Sequence, residues 1–260
     1  MKKIAIIGAG NMGGAIAASL VGADFRVVCT AKTKITIDRI HKEIPGVEIT
    51  QSNVEAVSDA DIIVLAVKPY ISAGVIEEIN PVIKPGAIVL SVVATLSLAD
   101  LNCLLHSSER EMKIMRVIPN TAIRLGKSVT FIAPDSNVDA DTLAVAEGIF
   151  NRSGKAFVIE EKSMGACMAL ASCGIAYFLR FIRAAAEGSV ELGLRPTFAT
   201  QIAALTAEGA AALLADGAHP EAEIDKVTTP GGITIKGLNA LEANGFTNAV
   251  IEALRASCVK

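Results

Sequence analysis

"KIAIIGAGNMGG", Lys3–Gly14, is the stretch on which the reading of this chain turns. An apolar, β-branched run too short for a helix and closed by glycine is a buried strand. The glycines then fall at Gly8, Gly10 and Gly13, and an alanine-rich helical pattern, "NMGGAIAASLVG", follows them. Strand, Gly-x-Gly-x-x-Gly and helix in that order give a weak string its meaning. Gly8 permits a tight turn, Gly10 lets the main chain approach a pyrophosphate, and Gly13 lets the helix lie close to the strand. A helix start offers amides to the anion. Ile7, Ala9, Asn11 and Met12 complete the expected dinucleotide loop.

Outward from this loop, short β-branched runs alternate with helical patterns. They are "RVVCT" (Arg26–Thr30), "VEIT" (Val47–Thr50), "DIIVLAV" (Asp61–Val67), "AIVLSVV" (Ala87–Val93), "KIMRVI" (Lys113–Ile118), "SVTFIA" (Ser128–Ala133) and "KAFVIE" (Lys155–Glu160). Continuous apolar strands joined by helices predict a parallel sheet covered on both faces. After Glu160 the strands stop. A long helical pattern runs from Lys162 to Leu192, another from Pro196 to Ala215, and shorter pieces end near Val259, with breaks at Gly193–Pro196 and Asp216–Pro220. The expected fold class is α/β. A Rossmann-type, doubly wound, mostly parallel sheet occupies 1–160, and an all-helical domain for dimerisation and substrate occupies 161–260.

Composition narrows the function. The 260 residues are 52% hydrophobic, 20% charged and 4% aromatic, which is a globular balance. A net charge of -3 gives no basic footprint for nucleic acid. Five scattered cysteines without a Cys-x-x-Cys, and no signal peptide, point to reduced thiols in the cytoplasm. With three histidines, His41, His106 and His219, no metal site is expected.

The end of the second strand reads the cofactor. NAD sites tend to place Asp or Glu there for the ribose hydroxyls. Here it reads "CTAKTK", with Thr30, Lys32, Thr33 and Lys34 and no acid. Hydroxyls and ammonium groups suit a 2′-phosphate, so NADPH is expected, with NADH as the alternative. The bland reading is an exposed lysine pair opening a helix. "AVKP" (Ala66–Pro69) leaves another strand at its carboxyl end, where ligands bind in open parallel sheets. Lys68 there is either a cofactor contact or a solvated loop lysine.

Ser163–Leu179 carries no charge, but Glu160, Glu161, Lys162, Arg180 and Arg183 flank it. A helix apolar on every side is buried on every side, and a membrane is not expected. Near the end of the chain, "VTTPGGITIKGL" (Val227–Leu238) sets hydroxyls, a proline and bare glycines ahead of a helical pattern. Thr228 or Thr229 is expected to cap, Pro230 to start the turn, and Gly231 and Gly232 to leave the helix amides uncovered for a carboxylate.

Four segments together resemble the pyrroline-5-carboxylate reductases. They are "GAGNMGGAI", "SNVEAVSDADIIVLAVKP", "MRVIPNTA" (Met115–Ala122) and "DKVTTPGGITIKGLNALE" (Asp225–Glu242). The resemblance runs the whole length and implies reduction of the cyclic imine 1-pyrroline-5-carboxylate to L-proline by NAD(P)H, in a homodimer at least. It implies that Asn53, Ala66, Val67, Lys68, Pro69 and Ala94 touch the cofactor. Thr229, Gly231, Gly232, Thr234 and Glu161 would hold the substrate, with Thr234 at the catalytic centre. Small residues such as Gly165, Ala169 and Gly174 would allow close helix packing between subunits. The family's Ser-Gly-Ser-Gly-Pro-Ala-Tyr is here "ASCGIAY" (Ala171–Tyr177), Thr95 stands where the family has Gly, and Ala122 stands for a Pro.

An imine is more basic than a ketone and can arrive protonated, as an iminium already short of electrons, so no obligatory protein acid is expected. Two other readings stand beside this one. A 3-hydroxyacid-type two-domain dehydrogenase would carry a catalytic lysine within the long helix, whereas Lys162, Lys226 and Lys236 lie at or outside its ends. A non-catalytic NADP-binding regulatory protein would bind without turnover.

Overall fold

The computed structural model of the chain describes residues 1–105, 110–215 and 217–258. His106, Asp216 and Val259 lie outside the described residues. The chain forms two compact units, Met1–Met168 and Ala169–Lys260.

The first unit is built on β1 (Lys2–Ile7), α1 (Asn11–Leu20), β2 (Phe25–Thr30), α2 (Lys34–Glu43), β3 (Glu48–Thr50), α3 (Asn53–Val57), β4 (Ile62–Leu65) and α4 (Pro69–Ile79). It continues through β5 (Ile88–Ser91), α5 (Leu98–Leu105), β6 (Lys113–Ile118), β7 (Ser128–Pro134), α6 (Ala140–Asn151), β8 (Gly154–Val158) and α7 (Met164–Met168). Among the described residues these strands form one eight-stranded sheet in the order β3-β2-β1-β4-β5-β6-β7-β8. All neighbours are parallel except β6 and β7, which are antiparallel. Residues 119–127 are too few for a parallel crossover, which needs a dozen or more.

Side-chain alternation along β1 feeds a core on each face of the sheet. Ile4 and Ile6 pack with Ile16 and Leu20 of α1, Ile40 of α2 and Phe150 of α6. Ala5 and Ile7 pack on the other side with Val57 of α3, Val75 and Ile79 of α4 and Leu101 of α5. Every residue of β4 and β5 is buried, which is why those segments read as unbroken apolar runs. This is the doubly wound sheet expected from the sequence.

The second unit is helical: α8 (Gly174–Glu191), α9 (Pro196–Ala212), α10 (Pro220–Lys226), α11 (Ile233–Ala243) and α12 (Phe246–Ser257). A π-helical turn, Ala169–Cys173, precedes α8, so the long helix expected from the sequence is locally widened. The departure at Ala171–Ile175 begins within that turn. The helical run Glu161–Glu191 is long and apolar enough, by length and composition, to cross a membrane. Within the unit, α12 returns to the start of α8. The Tyr177 hydroxyl lies 3.3 Å from the carbonyl of Ala253 and also meets the Ser257 hydroxyl, and the rings of Phe181 and Phe246 lie 6.1 Å apart. Among its described residues the buried apolar side chains are only Ala169, Ala186 and Ala199.

Candidate active site

The strand order reverses between β1 and β4, and the loops leaving their carboxyl ends lie side by side. Gly8 takes φ +100, and a Cβ on it would stand 2.8 Å from the carbonyl oxygen of Ala66. A Cβ on Gly13 would stand 2.1 Å from the Gly8 carbonyl oxygen, so helix and loop touch through bare backbone. Gly10 differs: a Cβ there would meet nothing within 4 Å. It faces open space at the N-cap of α1, with no side-chain cap. The first intrahelical bond is Gly14 N to Gly10 O at 2.9 Å, which leaves the amides of Asn11, Met12 and Gly13 as the helix's anion seat. A cradle that a Cβ would fill, backed by uncapped amides, fits a dinucleotide pyrophosphate.

Two amides of the loop are used internally. Ala9 N donates to Thr30 O at 2.7 Å, and Gly8 N to Thr30 Oγ1 at 3.0 Å. Thr30 is 3% exposed. Its hydroxyl therefore braces the loop from below, which differs from the expected place beside a 2′-phosphate. Lys32, Thr33 and Lys34 are exposed, and Thr33 caps α2 by accepting from Thr36 N. Across the crevice, Ala66 N donates to Ile7 O at 2.9 Å. Lys68 is exposed at the N-cap of α4, with Pro69 opening that helix and Val67 half-buried behind it. Asn53 is buried, and its Nδ2 donates to Glu78 at 2.9 Å, which leaves its second amide hydrogen and its carbonyl oxygen for a ligand.

The loop after β5 is held by an ion pair that the sequence reading did not find. Arg116 Nη2 donates to the carbonyl of Ala94 at 2.9 Å, and Nη1 to Glu161 Oε1 at 2.9 Å. The same carboxylate oxygen accepts from Leu98 N at 2.7 Å. Among the described residues no hydrogen-bond partner reaches the buried Arg116 Nε. The resemblance placed Glu161 with the substrate, whereas here its Oε1 fixes the segment from Ala94 to Leu98. The available signal was a cation inside the otherwise apolar run "KIMRVI", since a buried charge requires a partner.

In the second unit the expected threonine cap is not made. Thr228 Oγ1 donates backwards to Ile224 O at 2.7 Å, closing the end of α10. Thr229 O accepts from Gly232 N at 2.9 Å around Pro230 and Gly231, the latter at φ +72. Proline then positive-φ glycine is the pattern of a type II turn, so Pro230 starts the turn, and α11 begins only after it. Gly232 is the N-cap of α11, without a side-chain cap, and a Cβ on it would stand 2.6 Å from Thr229 Oγ1. Thr229 and Thr234 are exposed on either side of this uncapped start.

Residues 161–260 match the family model described as pyrroline-5-carboxylate reductase dimerisation, and residues 3–95 the one described as NADP oxidoreductase, coenzyme F420-dependent. Pyrroline-5-carboxylate reductase 2 of Dictyostelium discoideum is 37% identical over 276 residues, covering 100% of this chain and 92% of that relative. The chain belongs to the pyrroline-5-carboxylate reductase family. Pyrroline-5-carboxylate reductase 1 of the same organism is 38% identical over 99% of this chain, but the chain spans only 49% of that reductase. The solved pyrroline carboxylate reductase of Plasmodium falciparum, with NADP bound, superposes with a TM-score of 0.86 at 28% identity, covering 99% of this chain and 95% of that one. Membership in the pyrroline-5-carboxylate reductases sets the hydroxyacid dehydrogenase reading aside.

Proposed function

We infer that the chain is an NAD(P)H-dependent oxidoreductase that reduces the imine of 1-pyrroline-5-carboxylate to give L-proline, acting as a homo-oligomer. The observation that carries this is the full-length match to a pyrroline-5-carboxylate reductase, which takes in both ligand-ready helix starts. Bound NAD(P)H supplies the hydride. The amides at the start of α1 hold its pyrophosphate, and Ala66–Pro69 and Ala94 line the crevice. The amides of α11, with Thr234 and Thr229, take the substrate carboxylate. A protonated imine requires alignment and water exclusion more than a protein acid.

NADPH is the preferred dinucleotide, supported by the acid-free strand end and the exposed Lys32 and Lys34. Exposed apolar residues on α8 and α9, among them Phe178 at 66% and Leu205 at 59%, support burial against a second copy rather than in lipid. The described cysteines are free, and burial pushes the Cys29 thiol up to about 12, which suits a reduced, inert thiol in the cytoplasm.

The test is a spectrophotometric assay with racemic pyrroline-5-carboxylate and each dinucleotide. Proline formation with a larger kcat/KM for NADPH is expected. Tight NADPH binding without turnover would instead favour the regulatory reading.

A further inference from the structure

Arg39 stands in the polar pattern of α2, where the other charged residues, Lys34, Asp38, Lys42 and Glu43, are exposed. The fold turns Arg39 inward. Its Nη2 donates to the carbonyl of Ala9 at 2.7 Å and to that of Gly10 at 3.3 Å. Gly14 leaves room for this reach, since a Cβ there would stand 3.4 Å from the same Nη2 and 3.3 Å from Ile40 Cδ1. Ala9 is also the residue whose amide donates to Thr30 O, so the guanidinium sits where the glycine loop meets the end of β2. In this fold the adenosine ribose is read at that junction.

The charge of Arg39 is not neutralised there. A guanidinium has five donors, and carbonyl oxygens fix its place without cancelling its charge. Among the described residues no carboxylate forms an ion pair with it. Among the described residues Glu43, one turn along α2, is the only acid lining the adjoining cleft of about 360 Å³, which Arg124 and Arg152 also line. A guanidinium that is positioned, half-buried and unpaired beside a ribose site has the chemistry to bind a phosphate monoester.

We propose that Arg39 reads the 2′-phosphate of the dinucleotide and is the residue that sets NADPH over NADH. This rests on the reading of the first unit as a dinucleotide site. Lys32 and Lys34 add charge at the strand end, but Arg39 is the one whose head group is fixed by the loop itself. A residue that only tethered the loop would serve both dinucleotides alike.

Calorimetric titration of the full-length protein with NADP+ and with NAD+, without substrate, separates these roles. Arg39→Gln is expected to weaken NADP+ roughly ten- to a hundredfold, as loss of charged hydrogen bonds does, and NAD+ by less than about threefold. Arg39→Lys, which keeps the charge but not the fork, should fall between. The fragment 2′,5′-ADP should lose affinity with NADP+, while 5′-AMP follows NAD+. Equal losses for both dinucleotides, or no loss in either, would overturn the proposal. A wild-type protein that fails to reduce pyrroline-5-carboxylate would strike at the proposed activity and leave this binding ratio readable.

Discussion

In the first unit the proposed ligand seat is braced by backbone pressed on backbone at Gly8 and Gly13; in the second it stands on an exposed helix start whose nearest neighbours belong to Thr229. Gly13 has no room for a methyl group, because Gly8 O would lie 2.1 Å from it, whereas Thr234 is exposed at the start of α11. The contrast extends to the cores. Sheet residues such as Ile6, Ile63 and Val89 are fully buried, while among the described residues of the helical unit the buried apolar side chains are only alanines, and Phe178, Leu179 and Phe198 are more than half exposed. The exposed apolar face of the helical unit fits a chain that forms a homo-oligomer through its dimerisation domain.

The largest effect should come from breaking that association. Phe178→Asp places a charge on the apolar face and is expected to weaken self-association about a thousandfold or more, by the cost of burying an unpaired carboxylate. Sedimentation at low micromolar concentration reads this. An active, folded monomer, in the variant or in the wild type, would show that the helical unit stands alone.

Next comes the contrast inside the glycine loop. Gly13→Ala must displace backbone and should cost about 1–3 kcal/mol of stability, together with most dinucleotide binding. Gly10→Ala meets nothing within 4 Å, so its Tm should stay within about 2 °C of wild type. Its Kd for NADPH should nevertheless rise by about tenfold, since the methyl group stands where the pyrophosphate approaches. Unchanged NADPH affinity in Gly10→Ala would show that the open space is not a ligand seat.

The smallest of these effects tests the second seat. Thr234→Val is expected to raise the KM for pyrroline-5-carboxylate by roughly tenfold, through loss of one hydrogen bond to a carboxylate. Dinucleotide affinity and self-association should remain near wild type. If KM holds and only Tm falls, the uncapped start of α11 is structural and the carboxylate binds elsewhere.

The sheet was legible because its signals are local. Apolar runs such as "DIIVLAV" can be satisfied only by burial on both faces, and the spacing of Gly8, Gly10 and Gly13 already implies strand, turn and helix. The turn at Thr229–Gly232 was legible as a glycine-rich helix start but not in its bonding. Thr228 had a choice between α10 behind it and α11 ahead, and sequence preference alone does not rank competing backbone partners.

The apolar runs, the glycine spacing of the dinucleotide loop and the four family segments were all readable along the chain, whereas the π-helical turn at Ala169–Cys173 was not. It took the packed fold to turn Thr30 under the loop to Gly8, to bring Arg116 to Ala94 and Glu161, and to draw Arg39 from its helix surface to Ala9. Those bonds join residues 22 to 45 positions apart. Their partners are set by which strands and helices become neighbours, and no window of local sequence contains that information.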